Sequence, residues 1–264
     1  MNKSISHLNR TFFYDVSGNS ASVIVFLHGF LGCKEIWQSY IQHLKNDHTI
    51  ITIDLPGHGQ SEVLNDATTM LEMAEIVYAI CKKEKITTCH MVGHSMGGYV
   101  TLALDTLYPE FLKSITLMNS TANEDSEQKK KDRVLAARVF DLNPSVFILE
   151  AVRNLFYAPN LILFKDDVTA LISLAQQTPA KGAQASLFGM KQRFETVKHL
   201  RLSQKKVHYI SGKQDNTVLF HTIEEQLIGM NATLTAFENC GHMAFVEKHS
   251  ETLKAMIKFW EINR

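Results

Sequence analysis

Cysteine is scarce in this 264-residue chain, and the four that occur, Cys33, Cys81, Cys89 and Cys240, are scattered without a C-x-x-C pair. That spacing argues against both a zinc site and a disulfide framework, so the four read as reduced thiols. Neither sign of charge is in surplus. The 27 Lys and Arg balance 27 Asp and Glu, which leaves no overall basic character to draw nucleic acid or an anionic membrane. No stretch approaches the ~18 uninterrupted apolar residues of a membrane helix, and Met1 to His7 lacks the apolar core of a secretory leader. The expectation is a cytoplasmic protein acting on a small molecule, with no nucleic-acid or membrane partner, as a monomer or a homodimer. No internal repeat or low-complexity linker divides the chain, and 45% hydrophobic residues suffice for one core.

Against these absences stands one dense motif. Gly93-His94-Ser95-Met96-Gly97 follows the apolar run Cys89 to Val92 and precedes the helix-patterned Gly98 to Leu104. Strand, sharp turn and helix with a serine at the apex form a nucleophile elbow, whose flanking glycines let strand and helix pack closely. Val23 to Leu27 is an apolar strand ending in the glycine-bearing loop His28-Gly29-Phe30-Leu31-Gly32. Lys206 to Ile210 runs into Ser211-Gly212-Lys213-Gln214-Asp215, and Thr233 to Phe237 leads to Glu238-Asn239-Cys240-Gly241-His242. A serine, a carboxylate and a histidine thus follow three strands in the order Ser95, Asp215, His242.

With Asp54-Leu55-Pro56-Gly57-His58-Gly59-Gln60-Ser61 added, these segments resemble the α/β-hydrolase superfamily over nearly the whole chain. Within it the chain looks like the small lidded carboxylesterases, the carbon–carbon bond hydrolases and the menaquinone-pathway lyases. The resemblance implies an α/β fold with a mostly parallel central sheet, helices on both faces and a helical lid. Pattern agrees: an amphipathic segment from Glu35 to Leu44, a strand from Thr49 to Ile53, a helix from Thr69 to Lys82 and a strand from Ser114 to Met118 alternate as parallel sheets require. From about Ser120 to Leu200 only helical patterns occur: Glu127 to Arg138, Ser145 to Phe156 opened by Asn143-Pro144, Phe164 to Gln177, and a last one from Pro179 towards Arg193. Residues 1–119 and 201–264 are therefore expected to form the core and 120–200 the lid.

The chemistry assigns each part a role. A serine hydroxyl is a weak nucleophile near neutral pH, so His242 accepts its proton while Asp215 fixes the imidazole tautomer. The backbone N–H groups of Phe30 and Met96 are the expected oxyanion hole. No metal or organic cofactor enters. Glu124 and Asp125 are alternative acids. His28, Gly29, His94, Phe156, Tyr157, Leu187, Met190 and Phe245 are candidate pocket residues, His28 also serving to position the oxyanion loop. The expected activity is cleavage of a small or medium carboxylic ester through an acyl-enzyme. Carbon–carbon cleavage or a lyase step with the same triad is the first alternative, for which Arg133, Arg138 or Arg153 would clamp a carboxylate. A slow or non-catalytic ligand-binding sensor is the second.

Overall fold

The computed structural model describes residues 2–203 and 205–262. The chain opens with two strands that the sequence pattern does not announce, β1 (Asn2–His7) and β2 (Arg10–Ser17), an antiparallel pair joined by a two-residue turn in which Leu8 and Asn9 both have positive φ. β3 (Val23–Leu27) follows, then a 3₁₀ turn at Lys34–Trp37 leading into α1 (Gln38–Leu44), β4 (Thr49–Ile53) and α2 (Met70–Lys83). A Thr69–Glu72 capping box, with reciprocal backbone and side-chain hydrogen bonds, starts α2 at the expected place. β5 (Cys89–His94), α3 (Met96–Leu107) and β6 (Leu112–Met118) complete the first part.

Between β6 and β7 (Lys206–Gly212) the described residues contain helices and no strand: α4 (Glu127–Leu142), α5 (Pro144–Asn154), α6 (Asn160–Leu163), α7 (Lys165–Ala175), α8 (Ala180–Lys191) and α9 (Val197–Leu202). α10 (Phe220–Leu227), β8 (Ala232–Phe237), α11 (Ala244–Glu247) and α12 (His249–Ile262) close the chain. The sheet order is β1-β2-β4-β3-β5-β6-β7-β8; β1–β2 and β2–β4 are antiparallel and every other pairing is parallel.

All five residues of β3 are buried, as a strand covered on both faces requires. Because successive side chains point to opposite faces, Val23, Val25 and Leu27 join the cluster under α2 and α3, whereas Ile24 and Phe26 join the one under α1 and α12. The second cluster holds Trp37, Tyr40 and Trp260. Parallel pairing brings the carboxyl ends of β3, β5, β6, β7 and β8 to one edge, and at that edge open-sheet proteins place ligands. No helix among the described residues is long and apolar enough to cross a membrane.

Candidate active site

Ser95 sits between β5 and α3 with φ 51° and ψ −114°, a conformation costly for a residue with a Cβ. Four hydrogen bonds hold it: the Ser95 N–H donates to the Met118 carbonyl (3.0 Å), and the Ser95 carbonyl accepts from Gly98 N–H (2.9 Å), Tyr99 N–H (3.4 Å) and the Ser120 hydroxyl (2.8 Å). The turn closes only without side chains at two positions. A Cβ on Gly93 would collide with the Gly97 carbonyl, and one on Gly97 with the Leu27 carbonyl.

His242 and Ser95 line one cavity. The His242 Nδ1 lies 2.7 Å from Asp215 Oδ2, and both side chains are buried. A carboxylate only accepts, so Nδ1 carries the proton and Nε2 is left as a base. Asp215 is held by four donors: Thr217 N–H (2.8 Å) and Val218 N–H (2.9 Å) on Oδ1, the Asn119 amide (3.0 Å) and His242 on Oδ2. Burial alone would raise this carboxyl, but the adjacent His242 and these donors hold it below the usual carboxylate range. Asn119, at φ 47° after β6, also donates to the Gly241 carbonyl (3.1 Å) and accepts from Ala244 N–H (3.2 Å), so one amide fixes both the Asp215 carboxylate and the histidine loop.

The proposed oxyanion donors are placed by different means. Met96 is the first residue of α3, so its N–H has no intrahelical carbonyl, while its side chain is buried in the core. The Phe30 N–H belongs to the loop after β3, which is turned by a Gly32 N–H to Gly29 carbonyl bond (3.0 Å). Among the described residues neither N–H has a hydrogen-bond acceptor. The following residues are anchored by a buried ion pair: Lys34 reaches Asp54 Oδ2 with its ammonium (3.0 Å) and Oδ1 with its backbone N–H (2.8 Å).

Of the candidate pocket residues, Gly29, His94, Met190 and Phe245 line the cavity, as does Phe30. The other four do not, which corrects the sequence reading. His28 is fully buried and spans two backbones, its Nδ1–H donating to the Gly29 carbonyl (2.8 Å) and its Nε2 accepting from Leu55 N–H (3.0 Å). Phe156 packs into the core beside Val152 and Cys240, and Leu187 packs into the cluster on the other face of the sheet. Tyr157 contributes its backbone N–H to Glu247 (3.0 Å).

That last contact belongs to a junction with no signature in the sequence. The buried Glu247 carboxylate accepts from Tyr157 N–H and the Asn160 amide (2.7 Å) on Oε2 and from Gly241 N–H (2.9 Å) on Oε1. Beside it, His242 N–H donates to the Leu155 carbonyl (2.6 Å), and a Cβ on Gly241 would come within 2.6 Å of Tyr157 N. The histidine loop is thereby bonded directly to the segment between α5 and α6.

The cavity has a volume of about 120 Å³ and is mostly apolar, with Leu31, Ile36, Val152, Leu155, Leu171 and Met243 among its walls. Arg133 also reaches it. The Arg133 Nε and the Arg193 Nη1 both bind Asp125, at 2.8 and 2.6 Å, and Arg193 lies 4.1 Å above the Tyr99 ring. Asp125 is therefore occupied by two guanidiniums. Arg138 and Arg153 are exposed. Among the described residues no group of three His, Cys, Asp or Glu side chains is placed to hold a metal.

Four buried histidines carry a stability prediction. Burial lowers His28 and His208 to about 4, and His58 and His94 to about 3. Each remains neutral in the folded protein but binds a proton near pH 6.5 once unfolded, so the unfolded state takes up more protons below that pH. Their contribution is complete above pH 6.5 and declines as pH falls towards 4, by about 1.4 kcal/mol per group and pH unit. The thermal midpoint is expected to be flat above pH 7 and to drop steeply between pH 6 and 4; a midpoint unchanged down to pH 4.5 would contradict the neutral burial of these rings.

The family described as the alpha/beta hydrolase fold matches residues 22–249. The dihydrolipoyllysine-residue acetyltransferase component of the acetoin cleaving system from Cupriavidus necator is 31% identical over 253 residues, covering 93% of this chain and 65% of the relative, so the chain spans under two thirds of that protein. Monoacylglycerol lipase ABHD6 of Mus musculus is 26% identical over 89% of this chain and 74% of its own. Among solved structures, a thermophilic esterase from Thermogutta terrifontis superposes with a TM-score of 0.93 over 100% of this chain and 99% of its own; at 20% identity that is a likeness of fold.

Proposed function

This chain belongs to the α/β-hydrolase fold family, and we propose that it is a serine hydrolase that cleaves carboxylic esters of uncharged acyl groups through an acyl-enzyme on Ser95. The observation that carries this reading is a mostly apolar cavity lined by both Ser95 and His242. In the proposed reaction the Ser95 hydroxyl proton passes to His242 Nε2 as Oγ bonds to the acyl carbon. The oxygen charge that develops is met by the Phe30 and Met96 N–H groups, each worth about 3 kcal/mol of barrier. His242 then gives its proton to the leaving alkoxide. A water, deprotonated by the same nitrogen, releases the acid and restores the serine.

The helices α4 to α9 act in this reading as a lid that selects the acyl group. Cavity walls come from α4, α5, α7 and α8 through Arg133, Val152, Leu171 and Met190. The catalytic histidine depends on the same insertion through the Glu247 junction, so displacing α5 also displaces His242.

Arg133 favours a second reading. Two guanidiniums share one carboxylate, which leaves net positive charge beside the cavity, and a substrate carboxylate would complete the pairing. Carbon–carbon cleavage or a lyase step with the same triad would then follow. A panel of neutral esters measured beside matched ω-carboxylate, acidic diketone and succinyl substrates decides. The expected result is turnover of the neutral esters, with Arg133→Ala changing kcat/KM less than three-fold. A carboxylate requirement that Arg133→Ala removes would replace the esterase reading with the second. Stabilisation by ligands without any turnover would mark a binding module.

A further inference from the structure

A larger cavity adjoins the catalytic one. It has a volume of about 460 Å³ and lies between α7 on one side and the Lys34–Trp37 turn, α1, α11 and the start of α12 on the other. Ile36, Leu171 and Phe245 line both spaces. The partition is therefore one layer of side chains, and two of its three members are half-buried aliphatics with rotatable bonds. Beyond it the walls are apolar at Phe164, Ala170, Leu174 and Val246 and polar at Ser39 and His249, whose Oγ and Nε2 lie 3.0 Å apart, with the exposed Glu35 and Asp167 also on the lining.

We propose that this groove is a distal acyl subsite: an acyl chain whose carbonyl carbon lies at Ser95 runs past Ile36, Leu171 and Phe245 and places its outer methylenes against Phe164, Leu174 and Val246. The direction of the chain rests on the reading of Ser95 as nucleophile. Volume supports it. At 120 Å³ the catalytic cavity holds only about four water volumes of ~30 Å³, room for a short acyl group, whereas the groove adds almost four times that space. Polarity sets the class of ligand. A mainly apolar groove whose lining also carries Asp167 and the Lys34-paired Glu35 accepts a linear fatty acyl chain ending in a methyl group and disfavours one ending in a carboxylate.

Each methylene that enters the groove should raise kcat/KM about four-fold until the groove is filled. In a series from acetate to tetradecanoate esters, the rise is expected to continue past butyrate to at least octanoate. Ala170→Trp, at an exposed position of α7 where a larger side chain leaves the core untouched, should lower the dodecanoate-to-butyrate ratio of kcat/KM at least ten-fold. Leu174→Glu, which places charge on the path, should do the same. An ω-carboxylated dodecanoate ester should be at least ten-fold poorer than dodecanoate. A decline beyond butyrate in the native protein, or a ratio that neither substitution changes, overturns the proposal. A second arm needs no turnover: free dodecanoate should raise the thermal midpoint more than butyrate does, and Ala170→Trp should abolish the difference. Chain binding that depends on the groove without hydrolysis of any ester would retain the subsite and discard the nucleophile; hydrolysis indifferent to both substitutions would do the reverse.

Discussion

Ser95→Ala is expected to lower kcat for ester hydrolysis by about five to six orders of magnitude, because members of a nucleophile–base–acid unit act together and losing the nucleophile removes the acyl-enzyme route. A fluorophosphonate probe should add to the native protein at one site and leave the variant unlabelled, as intact mass reports. The fold should be indifferent to the change. The elbow is held by the Ser95 backbone N–H and carbonyl and by the glycines around it, all of which alanine keeps. The unfolding free energy should therefore stay within about 0.5 kcal/mol of native, as for substitutions that remove no packing or buried bond. A variant that folds and keeps turnover would show that another group makes the bond to the acyl carbon. A variant that unfolds would show the hydroxyl to be structural.

Parts of this site were legible in the sequence for a local reason. The elbow needs small residues two before and two after the serine, and the neighbouring apolar runs identify strand and helix, so Ser95, and the loops carrying Asp215 and His242, could be located without long-range information. Asn119 and Glu247 could not. Each is an ordinary polar residue whose role arises when β6 meets the histidine loop, or when the insertion docks against α11. Four of the eight candidate pocket residues line the cavity, and the rest needed an orientation the sequence does not give. Helical spacing groups Phe156 and Leu187 with other apolar residues, but α5 ends at Asn154, before Phe156, and which apolar stripe of α8 faces the cavity depends on how that helix packs; both residues turn into the core. The N-terminal hairpin escaped notice because β1 is half exposed, with only Ile5 packing against the core among its residues. The passage from Glu35 to Leu44 read as one amphipathic segment and folds as a 3₁₀ turn followed by α1.

Asp125 illustrates the limit of chain order. It follows β6, where a carboxylate could serve the histidine, and the sequence leaves it open as the acid. In the structure it is buried between Arg133 and Arg193, whose positive charges hold its carboxyl below the usual range despite burial that would raise it. A carboxylate so engaged ties α4 to the chain beyond α8. The two arginines thus engage Asp125, whereas the carboxylate in contact with His242 is Asp215.

Asp215→Asn should lower kcat by about four orders of magnitude while leaving the protein folded. The reason lies in the donor count around the carboxylate. Oδ1 accepts from Thr217 and Val218 N–H, and Oδ2 accepts from the Asn119 amide and His242 Nδ1–H. An asparagine can keep its carbonyl towards the two backbone donors only by turning its NH₂ towards His242. The imidazole then accepts at Nδ1 and carries its proton on Nε2, so it has no lone pair for the serine hydroxyl. Asn119 cannot relieve the conflict by turning over, because its Nδ2 also donates to the Gly241 carbonyl and its Oδ1 accepts from Ala244 N–H. The loss should therefore fall on kcat rather than KM. Labelling by a fluorophosphonate should slow in parallel, since it needs the same base. Asp125→Asn should differ in kind: a buried charge pair loses its centre, stability falls by about 3 kcal/mol, and kcat in the folded fraction stays within ten-fold of native. Should Asp215→Asn keep near-native kcat while Asp125→Asn or Glu124→Gln abolishes it, the acid would have to be moved from the end of β7 to the end of β6.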